Sequence, residues 1–154
     1  MKPHEAVDAV IADLRDHRVT GDGHGLFTAS RHIDLLCHLA ARMAGDIEYQ
    51  LVHNASGLVA AKTLGQTAGH LGRAIAHYTL ALAPLATLAQ PGARATLQQQ
   101  FDAIAHHSHL RVHLADAGRA LAAARACHGL PHRSAPPNTT NAVAAPSPAV
   151  RRRS

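Results

Sequence analysis

Apolar residues recur along this chain with the three-to-four-residue period of an amphipathic helix. No segment shows the strict alternation of a half-buried strand. Val7, Val10, Ile11 and Leu14 share one face of a first helix expected over residues 3–18. Proline suits its first turn, where a missing N–H costs no intrahelical bond. Asp8, Asp13 and Asp16 fall off the apolar face, and the run Thr-Gly-Asp-Gly-His-Gly at 20–25 breaks the pattern. Ile33, Leu36, Ala40, Met43 and Ile47 define a second helix that starts near Thr28 or Ser30, either of which can cap it, and continues to about His53. Residues 54–57 read as a turn.

A third helix is expected over residues 58–83. Ala61, Gly65, Ala68, Gly72, Ile75 and Thr79 lie along one face, and residues this small let another helix approach closely. Lys62, Gln66, His70, Arg73 and His77 form the opposed polar face. Pro84 should kink or end the helix, with Leu82, Leu85 and Leu88 marking helical structure that resumes before the Pro91-Gly92 turn. The fourth helix, residues 93–127, is the longest and is stopped by Gly129 and Pro131.

The fourth helix has an unusual pattern. Leu97, Phe101, Ile104 and Val112 occupy one sector, and Leu110, Leu114 and Leu121 another. Two polar rows separate them. One is Asp102, His106, His109, His113 and Asp116, spaced alternately by four and three residues; the other is Gln100, His107, Arg111, Gly118 and Arg125. A helix with two apolar sectors is expected to be contacted on both sides. Arginine faces solvent better than imidazole, so the His/Asp row is the one expected to be covered.

The elements together predict an all-α fold, an antiparallel bundle of about four helices. The bundle takes residues 1–129. Residues 130–154 are Pro, Ala, Ser, Thr and Asn with four arginines, a composition that buries no core and reads as a disordered basic tail. The hydrophobic fraction of 47% is carried largely by alanine, so the core is expected to be built of small residues. Aromatics are 3% with no Trp, which leaves little for stacking bases or gripping a planar cofactor. Two lysines against thirteen arginines, with abundant Ala, Gly and His, is the usage of a high-GC bacterial genome, and it supplies a plain reason for fourteen histidines in this histidine- and alanine-rich chain. No apolar run approaches a membrane span and the first residues lack a signal-like stretch, so a cytoplasmic protein that does not enter membranes is expected. Cys37 and Cys127 sit in apolar helical patterns and are expected to be buried free thiols.

The formal charge of +5 is unevenly placed. Residues 1–54 hold five basic and eight acidic side chains, residues 55–129 six and two, and the tail contributes Arg133, Arg151, Arg152 and Arg153 with no acid. Acidic first and second helices can complement basic third and fourth helices inside the bundle. The arginine tail is a candidate for nucleic acid or an acidic partner.

The His/Asp row is the place where chemically capable side chains are organised. Residues seven apart on a helix are about 10 Å apart, so His106 and His113 cannot share one ion. A zinc-like site would need one pair from the row, with Asp102 or Asp116 nearby, completed by donors such as His70 and His77. Glu-x-x-His and His-Glu-x-x-His patterns are absent. Gly57-Leu-Val-Ala-Ala-Lys-Thr63 superficially resembles a P-loop but lacks the glycine before the lysine and the preceding strand. No nucleophile elbow is present. The expectation is therefore a non-catalytic module for protein partners or self-association, with no cofactor. The alternatives are a DNA- or RNA-associated protein and a histidine-rich metal-binding bundle.

Overall fold

Helical structure runs through nearly all of the chain that the computed structural model describes, residues 2–54 and 56–129. Four helices follow one another: α1 (Pro3–Asp16), α2 (Gly23–His53), α3 (Leu58–Leu88) and α4 (Leu97–Gly129). No strand occurs among the described residues. The expected C-terminal tail, with Arg133, Arg151, Arg152 and Arg153, lies outside them.

Contacts fix the directions. Tyr78 of α3 meets His32 of α2, while a side chain on Gly23 would reach Ala89, so α2 and α3 are antiparallel. Thr67 meets His128 and His77 meets Asp116, so α3 and α4 are antiparallel too. Helix α3 is central and packs along both α2 and α4, while α1 lies against α2 and α4. Asp13 of α1 pairs with Arg31 of α2 at 3.4 Å, and Asp8 of α1 with Arg125 of α4 at 2.8 Å. The second pair joins the acidic and basic halves of the chain.

The core is made of leucine and alanine. Leu36, Leu39 and Met43 of α2, Leu64, Leu71, Ala74, Ala81 and Leu85 of α3, and Leu110, Ala117, Leu121 and Ala124 of α4 are buried together, closed over by Ala6, Val7 and Leu14 of α1.

Helix starts follow local chemistry more than apolar period. Helix α2 begins five residues before Thr28, because Asp22 caps it: Oδ1 accepts from the Gly25 N–H at 2.8 Å and from the Thr20 hydroxyl at 2.6 Å. Gly25 is obligatory there, since a Cβ would stand 1.6 Å from the Thr20 carbonyl oxygen. Helix α4 begins at Leu97, later than expected, because Thr96 and Gln99 form a reciprocal capping box: Thr96 Oγ1 accepts from the Gln99 N–H and Gln99 Oε1 from the Thr96 N–H. The turn before it places Gly92 at φ 81°, a left-handed conformation suited to glycine.

Pro84 does not end α3. It is buried inside the helix, and the carbonyl its absent N–H would have served belongs to Leu80, an exposed position. The small-residue face of α3 is packed only in part: Ala61 is buried and Ala68 and Ile75 pack against the core, while Gly65, Gly72 and Thr79 are exposed. Gly65, Gly69 and Gly72 have no neighbour within 4 Å of where a Cβ would sit. Helix α3 turns its leucine-bearing face inward instead, because that face removes more apolar area from water.

The open glycines give a direct test. Gly65→Ala, Gly69→Ala and Gly72→Ala should each stabilise the protein by about 0.5–1 kcal/mol, through helix propensity alone. Urea denaturation of the triple variant should show a higher midpoint; a lower one would mean that this face is packed in solution.

Candidate functional site

The His/Asp row runs along the α3–α4 seam. His106, His113 and Asp116 are half-buried, while Asp102 and His109 are exposed. Of the seven metal candidates named from the sequence, the structure gathers three. The His77 and His113 rings are 6.2 Å apart, and His77 Nδ1 lies 3.8 Å from Asp116 Oδ2, beyond hydrogen-bond reach. Asp116 also pairs with Arg119 one turn along α4. His77 Nδ1 and His113 Nδ1 are buried without a protein hydrogen-bond partner. His70 instead meets Arg73 on its own helix at 3.3 Å, and Asp102 accepts from Gln98 at 3.0 Å. Among the described residues, no three His, Cys, Asp or Glu side chains are arranged to hold a metal ion.

The second polar row is mostly exposed: Gln100, Arg111, Gly118 and Arg125 face solvent and only His107 is half-buried. Arg125 is tied to Asp8 at the surface, Gly118 borders a cleft beside Ile11 and Leu14 of α1, and His107 Nε2 accepts from the Arg94 guanidinium at 2.8 Å. Gly21, in the connection between α1 and α2, lies so close to the His107 ring that a Cβ would meet Cε1 at 2.3 Å. Cover therefore falls mainly on the His/Asp row, which α3 flanks, while α1 and its following loop reach the other row only at Arg125, Gly118 and His107.

The two apolar sectors of α4 have different fates. Leu110 and Leu121 face α3. Leu97, Phe101, Ile104 and Val112 face outward and are 69%, 59%, 62% and 56% exposed. They occupy one face of the helix, at spacings of four, three and eight residues, with Ser108 filling the gap. The contact expected on both sides of α4 is thus made on one side within the chain. Phe27, Leu80 and, around the α2–α3 turn, Tyr49, Leu51, Val52, Leu58 and Val59 are exposed too, but no four of them lie along one face of a single helix.

At the end of the bundle, His4 and His128 bring their rings to 6.4 Å. The Thr67 hydroxyl donates to the Thr63 carbonyl and lies 3.1 Å from His128 Nε2, so the imidazole is the donor in that second contact. Burial, and then the nearby His4, hold His128 below the usual imidazole range. A 490 Å³ cleft lined by His4, Gln50, Val59, Thr63, Leu64 and His128 opens beside the pair.

The residue that sequence reading missed is His32. It is 1% exposed, with neither ring nitrogen bonded to protein, and it stands edge-on to Tyr78 at 5.2 Å and 81°. The buried row of α2 is Ala29, His32, Leu36, Leu39 and Met43, spaced alternately by three and four. That spacing was available in the sequence. Cys37, expected to be buried, is exposed because this row turns it outward; Cys127 is half-buried, its thiol donating to the Ala123 carbonyl at 3.3 Å.

Compared with protein-family models, curated proteins and solved structures, the chain gives no match. No helix among the described residues is long and apolar enough to cross a membrane.

The seam makes its own prediction. His113→Leu removes a buried, unpartnered nitrogen and should stabilise the protein by about 1 kcal/mol. His109→Ala, at an exposed position, should change stability by less than about 0.5 kcal/mol. Denaturant titration of both variants checks this, and a loss on His113→Leu would show that the imidazole bonds to something in solution.

Proposed function

We propose that the chain is a non-catalytic interaction module whose docking surface is the outer face of α4, and that its occupant is a second copy of the chain. The observation that carries this reading is the alignment of Leu97, Phe101, Ile104 and Val112 on one exposed helix face. Together they expose on the order of 400 Å² of apolar surface, the size at which contiguous patches mark interaction sites. Their spacing is close to that of a coiled-coil seam.

A second copy fits this stripe in shape and charge. Antiparallel pairing about a two-fold axis at Ser108 sets Phe101 against Ala115 and Ile104 against Val112 of the other copy, large against small. Residues 1–129 carry 11 basic and 10 acidic side chains, so two copies of the bundle do not repel strongly. A nucleic-acid reading has less support. Arg94, Arg119 and Arg125 are engaged by His107, Asp116 and Asp8 of the same chain, and the arginines that favour it lie in the tail. No metal-holding group among the described residues supports the metal reading.

Light scattering coupled to size exclusion tests the proposal. The full chain should run as a dimer, and Phe101→Asp with Ile104→Asp should run as a monomer of unchanged helical circular dichroism. A wild type that stays monomeric up to about 1 mM, where even weak associations of roughly −4 kcal/mol are half-populated, would sink it.

A further inference from the structure

We propose that His32 is the trigger of a pH-sensitive latch: taking up a proton there releases α1 from the rest of the bundle and opens the apolar interior beneath it. This goes beyond the docking surface on α4 and does not depend on it.

A protonated His32 has no side chain within hydrogen-bond reach; only the Asp13 charge and the His17 backbone lie near enough to favour it. The ring is buried in the inner row of α2, and its two nitrogens have no protein partner. The titratable and charged groups around it are Asp13 and His17 from α1 and its end, Arg31 from its own helix, and Tyr78 from α3. Asp13 is the carboxylate among them. It is shared between Arg31 at 3.4 Å and His17 at 3.3 Å, and no hydrogen bond joins it to the His32 ring. Tyr78 presents a ring edge, and burial keeps its phenol from ionising.

Burial is the main reason that His32 is held below the usual imidazole range; the charges of Arg31 and His17 push the same way, and Asp13 and the His17 backbone oppose them. The direction of the pH effect follows. A base whose pKa is depressed in the closed form is favoured closed above its ordinary value of 6.5. Below that value the open form binds a proton that the closed form refuses. The open-to-closed ratio then rises by up to about tenfold per pH unit until the closed-form pKa is reached.

Helix α1 is the element that yields. It has 14 residues against 31, 31 and 33 in the other helices, and it fully buries only Ala6, Val7 and Leu14. Its charged ties, Asp13–Arg31 and Asp8–Arg125, are surface ion pairs of the kind that holds weakly. A 270 Å³ cleft lined by Ile11 and Leu14 of α1, Tyr78 of α3 and Leu121 of α4 already lies under it. Opening α1 gives water a path to His32 and bares Tyr78 and Leu121. The three long helices stay packed on one another. Short, lightly buried segments are the ones that open below the global unfolding energy.

Hydrogen exchange on the full chain, read as protection factors so that intrinsic chemistry cancels, tests the latch between about pH 7.5 and about pH 5.5, the window in which histidine titrates. Protection of α1 amides should fall several-fold, up to about tenfold, on acidification while α3 amides hold theirs. His32→Leu, which fills the same space without a titratable group, should remove that fall, and His32→Phe is the second variant if leucine does not fold. The ring-proton titration of His32 in the wild type should track the loss of α1 protection. A fall that persists in either variant, a fall shared equally by all four helices, or α1 protection independent of pH would overturn the proposal.

Discussion

The inner face of α3 is the support on which the rest of the bundle rests. Leu64, Leu71, Ala74, Tyr78, Ala81 and Leu85 form a continuous buried row, and both α2 and α4 pack along it. Alternating leucine with alanine sets how near the neighbours come. Ala74 and Ala81 meet a core that also holds Ala29, Ala117 and Ala124, so the backbones approach closely and little volume is left for larger side chains. Because α3 is served on two sides, α2 and α4 are each served mainly on one. The remaining opening is what α1 covers, and α1 is too short to cover all of it. The clefts beside His4 and Ile11, and the Gly21 contact on His107 beyond the end of α1, are consequences of that shortfall.

Imidazoles collect at the edges of this small-residue core, one fully buried and two half-buried. His32 lies under α1, while His77 and His113 face each other across the α3–α4 seam. A neutral imidazole costs far less to bury than a charge, but each unpartnered nitrogen still loses its hydration, at roughly 1–3 kcal/mol. The two places differ in what surrounds them. At the seam, Asp116 stands beside His77 and solvent reaches the row through exposed His109 and Asp102. Under α1, the nearest carboxylate is already engaged and the ring is sealed. The same side chain is therefore a tolerated filler in one place and a charge-sensitive one in the other.

The four helices were legible because a 3.6-residue apolar period leaves few alternatives when no segment alternates. What the period left ambiguous was rotation. Two frames of α2 share Leu36 and Met43. One adds Ile33, Ala40 and Ile47, all apolar; the other adds Ala29, His32 and Leu39. Hydrophobicity favours the first, and the structure takes the second, which places Leu39 inward and leaves Ile33 and Ile47 half-buried on its flank. The same frame choice turns Cys37 out. Helix α3 repeats the lesson: the small-residue face stood out in the sequence, but area buried decides which face packs, and leucines outweigh glycines. Starts were misplaced where side-chain caps govern, at Asp22 and Thr96, because a cap depends on φ/ψ outside the helix and not on periodicity. The candidate row was placed correctly on α4, yet which of its members meet His77 depended on the angle between two helices, which no single-helix pattern contains.

That α4 is apolar on two opposite sides has an energetic consequence of its own. One sector is stabilised inside the chain. The other leaves on the order of 400 Å² of side chain in water on each copy, and covering it on two copies is worth on the order of 20 kcal/mol gross at about 25 cal/mol per Å². Association of two bodies costs roughly 4–15 kcal/mol before any contact contributes. That cost, with the side-chain ordering added to it, offsets much of the gain, so the proposed pairing would depend on concentration. Flanking contacts decide the balance, and the flanks of the stripe are the two polar rows. One carries Asp102, His109 and Asp116, the other Arg111, His107 and Arg125. An antiparallel pair about a two-fold axis brings like flank to like flank. If two copies pair as proposed, the outer stripe would supply the affinity, and the charges of the rows beside it would set how that affinity responds to salt.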